Sequence, residues 1–560
     1  MNNGVLNLLI GGEAGQGLVT IGQLMAKSLV RAGYSIVVTQ SYQSRIRGGH
    51  NTFAIRVSPK EIHASQEEVD LLIALNEETV ELHRKHLSPG GLIIIDESLN
   101  AANDKSLRVP FNELGSSRSI NIIALGIAGS LLGLDAKLVE HAVDDFFGHK
   151  HPENVQENRK ALANSFKWCA AKEITGFHLP GISNPAERLM MNGNEAIALG
   201  ALSAGLKFYS FYPMTPSTSI ALTLAAHAQR MGVAVEQAED EIAVINMALG
   251  ASFAGALSMV GTSGGGFALM TEGVSLSAMT ETPVVIVVSQ RPGPATGLPT
   301  RTAQGDLEFV LHAGHGEFPR AVFSPGSVEE CFHLTRAALY LSQECQGPVI
   351  ILTDQFLADS YRAVPPFDVE KLASVNTECE ADLTASPYER YADTGNGVSP
   401  RHIPGLTENL VVADSDEHTT DGHLTEDLTS AKKMIDKRLR KLDLIRREVI
   451  PPERWGDEKP DLLLVTWGSS KGAAIEAAGR LGAEGMNVSA LHFSQVWPLV
   501  SQHFLSTLEG AGEVVCVEGN ATGQLARLIR RETGFLIEKQ VHRYDGLPLT
   551  AEFIIHELSS

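Results

Sequence analysis

KFYSFYPMTPSTS, residues 207–219, runs an apolar segment into a turn stiffened by two prolines. Lys207–Tyr212 reads as a buried strand that Pro213 and Pro216 bring to an end. Open α/β sheets gather their ligands outside the carboxyl ends of strands, and here Thr215, Ser217 and Thr218 present hydroxyls at that end. Taken alone, a proline turn with an N-capping serine or threonine accounts for the same residues. Working outward, strand candidates recur at Met259–Thr262, Val284–Ser289 and Val349–Thr353, several followed by glycine-rich turns. Strands alternating with helical stretches predict an α/β fold with a parallel sheet covered on both faces.

The neighbouring stretches supply charge. EQAEDEIAVINMALGASFAGA (236–256) sets Glu236, Glu239 and Asp240 at a helix start, where the dipole favours solvated acids. Glu241 differs, because a small and apolar run follows it directly. A carboxylate at that edge is partly desolvated, which can tune it for proton work. GTSGGGFALMTEG (261–273) follows a strand with three successive glycines, which admit a close backbone approach. SQRPGPATGLPTRTAQGD (289–306) puts Arg291 and Arg301 in a stiff loop rich in proline, glycine and threonine. Guanidinium with nearby hydroxyls is suitable chemistry for holding a carboxylate.

An earlier unit opens with the apolar run Val5–Ile10, then GGEAGQG, then helical periodicity through Ile21, Leu24, Met25 and Leu29. Its other strand candidates are Ser35–Thr39, Val69–Leu75, Leu92–Asp96 and Ile120–Leu125, again predicting a parallel sheet. Gly12, Gly15 and Gly17 fall in a strand-to-helix turn that can aim N–H groups at an anion, or serve only as a tight connection. SRIRGGHN clusters Arg45, Arg47 and His50, suited to a phosphate, a carboxylate or a subunit contact. Gly176–Pro185 reads as a linker.

Past residue 376 the chain turns polar and acidic, then carries Ile435, Leu439, Leu442 and Ile445 as an apolar stripe on a charged helix. His418 and His423 with Asp416 and Asp421 invite a metal, but their spacing fits no standard ligand set, and a solvated loop explains them. Further strands are expected at Leu462–Val465 and Val514–Glu518.

The length of 560 residues suggests three or four domains at about 100–200 residues each. The net charge of −21 argues against a nucleic-acid or anionic-membrane binder. No apolar run approaches the roughly 20 residues of a membrane span, and the start lacks a basic leader, so a cytoplasmic location is expected. Cys169, Cys331, Cys345, Cys379 and Cys516 are scattered without iron–sulfur spacing, so any such cluster would be held by another chain.

YPMTPST, the DEIA acid, GTSGGG, RPGPATGLPT and HGEFPR (His315–Arg320) together resemble the α subunit of 2-oxoacid:ferredoxin oxidoreductases, most of all the 2-oxoglutarate type. GGEAGQG with SRIRGGHN resembles the γ subunit, fused ahead of α. TWGSSKG (466–472) with VEGNATGQLARLIR (Val517–Arg530) resembles their transketolase-C-terminal-like domain. The resemblance implies three parallel-sheet α/β domains: a γ-type domain over 1–180, a thiamine diphosphate pyrimidine-binding domain over 181–375, and the transketolase-C-terminal-like domain over 459–560. A polar excursion and packing helix fill 376–458. One departure is Ala295, Arg301 and Ala303, where the family usually has Ser, Lys and Glu.

The resemblance further implies a division of labour. Tyr212, Pro213 and Glu241 would hold the pyrimidine, with Glu241 hydrogen-bonding its N1′ as the catalytic acid. Thr215, Arg291 and Thr300 would grip the substrate carboxylate and oxo group. Gly12, Gly15, Gly17, Arg45 and Arg47 would meet coenzyme A or a subunit interface. The sequence contains no GDG triplet, so a β subunit would supply the magnesium and diphosphate site and a 4Fe–4S cluster, in an (αβ)2 assembly. No metal is expected in this chain. The implied reaction is CoA-dependent oxidative decarboxylation of 2-oxoglutarate to succinyl-CoA with electrons passed to ferredoxin, or its reverse. The same chemistry on a branched-chain 2-oxoacid is one alternative, and a catalytically silent subunit of a thiamine enzyme is another. The intact acid at Glu241 argues against silence.

Overall fold

The strand candidates from residue 207 onward all become strands, at nearly the expected positions. The computed structural model describes residues 4–43, 49–100, 105–148, 154–174, 176–375 and 387–560. They fall into two compact units: 1–192 with 359–367 and 550–553, and 193–358 with 368–549 and 554–560.

The first unit holds an eight-stranded sheet, and here the parallel expectation is corrected to a mixed sheet. Leu6–Glu13 runs parallel to Val69–Ala74 but antiparallel to His50–Ser58, which in turn pairs antiparallel with Ser35–Ser41. The polar-looking HNTFAIRVS is thus a strand, with Phe53, Ile55 and Val57 buried. A second correction concerns Ile120–Leu125, which is not a strand. It begins the helix Ile120–Leu131, with nine of its residues buried. A short apolar run does not separate a buried helix from a buried strand by period; length decides. The helix packs against the helices Val155–Ala171 and Leu18–Arg31, and Gly126 lies directly against Ser165.

In the second unit, six parallel strands take the spatial order 321–323, 348–354, 284–290, 258–262, 208–211, 234–237. Their registers are parallel throughout. Gln495–Trp497 adds an antiparallel seventh strand at the 321–323 edge. A smaller sheet forms around Leu462–Trp467, with Val488–Phe493 and Glu513–Glu518 as parallel neighbours and Glu453–Trp455 antiparallel at one edge. The two sheets share one hydrophobic core, from Val244 and Ile286 through Leu463 and Val465 to Leu525. No helix among the described residues is long and apolar enough to cross a membrane.

The charged helix Leu428–Arg447 corrects a third expectation. Its apolar stripe is split: Ile435 and Leu439 are 41% and 37% exposed, whereas Ile445 is buried. Beside Ile445, the residues that face inward are Met434, Lys437, Arg438 and Lys441. Lys437 Nζ lies 2.6 Å from Glu281 Oε1, and Lys441 Nζ lies 2.5 Å from Glu281 Oε2. Arg390 donates to the Glu281 carbonyl at 2.7 Å. Glu281 is fully buried, and its opposite charges explain why this face turned inward. Burial pushes its carboxyl up, but Lys441, Lys437 and Arg390 outweigh that and hold it down at about 2.

Candidate active site

The strand order creates the site. The chain passes from 208–211 to 234–237 on one side, then returns to 258–262 on the other. Right-handed crossovers in opposite directions send the following helices to opposite faces. A crevice opens between the carboxyl ends of 208–211 and 258–262, where open α/β sheets bind ligands. The YPMTPSTS turn leaves one of these strands and the triple glycine leaves the other.

Glu241 is the first residue of the helix Glu241–Phe253, whose N-cap Asp240 accepts from the Ala243 N–H at 2.8 Å. Its side chain turns inward and is 3% exposed. Its Oε1 is buried without a hydrogen-bond partner among the described residues. A carboxylate oxygen in that state awaits a donor, because leaving it unpaired costs about 1–3 kcal/mol or more.

The glycines open the helix Gly264–Met279, and each faces a different neighbour. A side chain at Gly266 would collide with Thr262 Oγ1 and the Glu241 carboxylate, and one at Gly264 with the Asp306 carboxylate. At Gly265 the loop carbonyl of Ala295 stands 3.7 Å from where a Cβ would sit. Space therefore requires glycine at 264 and 266, beyond turn geometry, while the contact at 265 is an ordinary one.

Arg291 donates through Nη1 to the Thr215 carbonyl at 2.8 Å, joining the two turns that the sequence singled out. Among the described residues this is the guanidinium's one hydrogen bond, so four of its five N–H donors remain for a ligand. Buried Asn194 holds the Thr215 turn from behind, donating to the Pro216 carbonyl at 2.8 Å and to Ser219 Oγ at 2.7 Å. Tyr212 and Pro213 lie exposed at the mouth. Thr300 is buried in the Arg291 loop, but no hydrogen bond joins the two. Arg301 is half-buried.

Reading the residues missed several supports. Gln304 Nε2 donates to the Trp467 carbonyl and its Oε1 accepts from the Gly519 N–H, both at 2.7 Å. Gln524 Nε2 donates to the Gly305 carbonyl at 2.8 Å. So the TWGSSKG and VEGNATG stretches anchor the Arg291 loop. Asp306 closes that loop, and its position before LEFVLH resembles an ordinary helix cap, which hides it in the sequence. HGEFPR is structural in part: buried Arg320 donates to the Val310 and Ala313 carbonyls at 3.0 and 2.5 Å.

In the first unit, Gly12 remains in its strand opposite Asn51, while Gly15 and Gly17 take φ of 98° and 77° in the turn. The helix Leu18–Arg31 starts without a side-chain cap, as an anion site would require. Arg45 and Arg47 lie outside the described residues. His423 is exposed beside Asp421 at 3.1 Å, whereas His418 is buried against Tyr391. Among the described residues no three His, Cys, Asp or Glu side chains converge as a metal site.

Residues 199–437 match the family described as pyruvate flavodoxin/ferredoxin oxidoreductase, thiamine diphosphate-binding. Residues 7–168 match the pyruvate ferredoxin/flavodoxin oxidoreductase family. The crevice thus lies in a sheet of the thiamine diphosphate-binding class. The 2-oxoacid:ferredoxin oxidoreductase α subunit of a Sulfolobus species is 30% identical, over 97% of this chain and 95% of its own. The 2-oxoglutarate synthase subunit KorA of Archaeoglobus fulgidus is 34% identical, over 62% of this chain and 91% of its own. The solved 2-oxoglutarate:ferredoxin oxidoreductase of Magnetococcus marinus, with 2-oxoglutarate, coenzyme A and succinyl-CoA bound, matches with a TM-score of 0.93 at 32% identity and 99% coverage of both chains. The chain belongs to the 2-oxoacid:ferredoxin oxidoreductases, as an α-type subunit of that multi-subunit enzyme.

Proposed function

We propose that this chain is the pyrimidine-binding subunit of a 2-oxoglutarate:ferredoxin oxidoreductase, joining CoA-dependent oxidative decarboxylation of 2-oxoglutarate to reduction of ferredoxin. The observation that carries the reading is the unpartnered Glu241 Oε1 in the strand-end crevice. The residues present fit the group, since a buried carboxylate oxygen lacks a donor among the described residues and the bare backbone of Gly266 lies directly against that carboxylate. When bound, thiamine diphosphate supplies the electron sink for decarboxylation. Glu241 would hold the pyrimidine by a hydrogen bond to its carboxylate, and Arg291 with Thr215 and Thr300 would orient the 2-oxoacid carboxylate. Tyr212 and Pro213 would border the pyrimidine.

A β subunit would bring magnesium, the diphosphate contacts and the 4Fe–4S cluster, in a cytoplasmic (αβ)2 assembly. The Gly12, Gly15 and Gly17 turn, with Arg45 and Arg47, would meet coenzyme A or a subunit. We propose the division 1–180, 181–375, 376–458 and 459–560 as the domain boundaries. The test is co-purification with the β partner and a screen of 2-oxoacids with CoA and ferredoxin. 2-Oxoglutarate should give the highest kcat/KM, and the isolated chain should carry neither iron nor activity. A cluster or turnover in the single chain would defeat the two-subunit reading.

Arg291→Lys tests the substrate grip. It keeps the charge but loses the planar fork. Apparent 2-oxoacid affinity should fall on the order of 2–3 kcal/mol, the scale of hydrogen bonds to charged groups. Thiamine diphosphate affinity should not move. Loss of cofactor with unchanged KM would reassign Arg291 to the cofactor or an interface.

A further inference from the structure

The stretches TWGSSKG and VEGNATG have no part in the reading above, yet they meet at one side chain. Trp467 and Glu518 end two adjacent parallel strands of the smaller sheet, so Gly468 and Gly519 stand at the carboxyl ends. Open α/β sheets take ligands at that end. Here Gln304 fills the place. Its N–H donates to the Gly519 carbonyl, its Oε1 accepts from the Gly519 N–H and its Nε2 donates to the Trp467 carbonyl, all at 2.7 Å. Gln304 is 2% exposed. A Cβ on Gly519 would stand 3.0 Å from Gln304 Oε1, and one on Gly468 would stand 2.9 Å from Gln304 Nε2. Buried Glu518 braces both sides, accepting from Trp467 Nε1 at 3.0 Å and from Asn520 Nδ2 at 2.8 Å. The result is a socket with one N–H and one carbonyl, the complement of a primary amide.

The seated residue belongs to the loop that carries Arg291 and Thr300. The crest of that loop, 293–298, is exposed. Bonds inside the loop shape it: the Leu298 N–H donates to the Pro292 carbonyl at 3.0 Å, and the Arg301 N–H to the Leu298 carbonyl at 3.2 Å. Its descending limb is fixed from outside. The Thr302 N–H donates to the Gly546 carbonyl at 3.2 Å, and Gln524 Nε2 donates to the Gly305 carbonyl at 2.8 Å. Between those two points sits the socket, four residues past Thr300. We infer that Gln304 is a positioning residue for substrate capture: seated between Trp467 and Gly519, it lets the smaller sheet set where Thr300 and Arg291 stand. This rests on the assignment of those two residues to the 2-oxoacid. A hydrogen-bonded grip on a small acid tolerates little displacement, since about 1 Å can cost a hundredfold. The smaller sheet thereby acts on the reaction without touching the substrate.

The experiment uses the complex assembled with the β partner. Gln304→Met keeps the length of the side chain and removes its amide. KM for 2-oxoglutarate should rise about tenfold or more, within the range that a displaced grip can cost. In a complex already carrying Arg291→Lys, the same change should raise KM by no more than about threefold, because the grip it positions is already lost and residues that act together are not additive. A merely structural role would multiply KM by the same factor in both backgrounds. Gly519→Ala leaves residue 304 unchanged and crowds its amide. It should repeat the pattern in both backgrounds, and it decides the question if Gln304→Met does not assemble. A larger factor in the Arg291→Lys background, or a rise below about threefold in the otherwise wild-type complex, overturns the positioning role alone. An Arg291→Lys complex with the KM of the wild type overturns the substrate assignment, and the positioning role falls with it.

Discussion

Glu241→Gln should leave the subunit folded and assembled while lowering kcat by roughly a hundred- to ten-thousand-fold, the span of lost acid–base assistance. Glutamine preserves the size of the side chain, so Gly266 and Thr262 still pack against it. What it would remove is the negative charge proposed to meet the pyrimidine ring. Glu241 is 3% exposed and its Oε1 has no partner among the described residues. In so dry a site, charge is worth far more than at a surface. The comparison is steady-state turnover and thiamine diphosphate affinity in variant and wild type, each assembled with the β partner. Full activity in the variant would return Glu241 to the status of an ordinary buried acid. Gly266→Ala offers an independent check, because the methyl would displace the same carboxylate without altering its charge.

Glu281→Gln should destabilise the second unit by about 3–5 kcal/mol, the cost of breaking a buried ion pair from one side. The variant strands Lys437 and Lys441, both almost wholly buried, without their carboxylate. Equilibrium unfolding in urea, monitored on the complete chain, would show it. The pH dependence carries a sign. The Glu281 carboxyl, at about 2 when folded, lies below its ordinary value of 4.5. Its contribution is therefore fully present above the ordinary value and is lost as pH falls through about 2. Glu281→Gln should lack that part of the acid response. Lys437→Met should be far milder, since a second lysine still faces Glu281 and burial already disfavours the Lys437 charge, holding it near 8. Equal losses in the two variants would mean that packing, rather than charge, holds the helix.

Much of the candidate site was legible because its demands are local. A strand stopped by prolines, glycines at 264–266, an acid at the head of an apolar helix and an arginine in a stiff loop are each visible within about twenty residues. Alternation of strand and helix then determined the α/β class and the end of the sheet where ligands gather. What needed tertiary structure was every choice between alternatives of equal local merit. Ile120–Leu131 could pair as a strand or pack as a helix, and neighbouring helices decided it. His50–Ser58 became a strand through pairing with 6–13 and 35–41, which made the first sheet mixed. The 428–447 helix carried an apolar stripe, yet it turned its lysines inward to meet a carboxylate 156 residues away in sequence. Asp306 is the same case at smaller scale. Nothing in its neighbours along the chain marks its contact with Gly264, which forms only when the loop folds back over the helix. Period and propensity act along the chain, whereas desolvation and counter-charge act through space. Sequence alone therefore determined which residues could form a site, and only the fold decided which charges are buried beside one another.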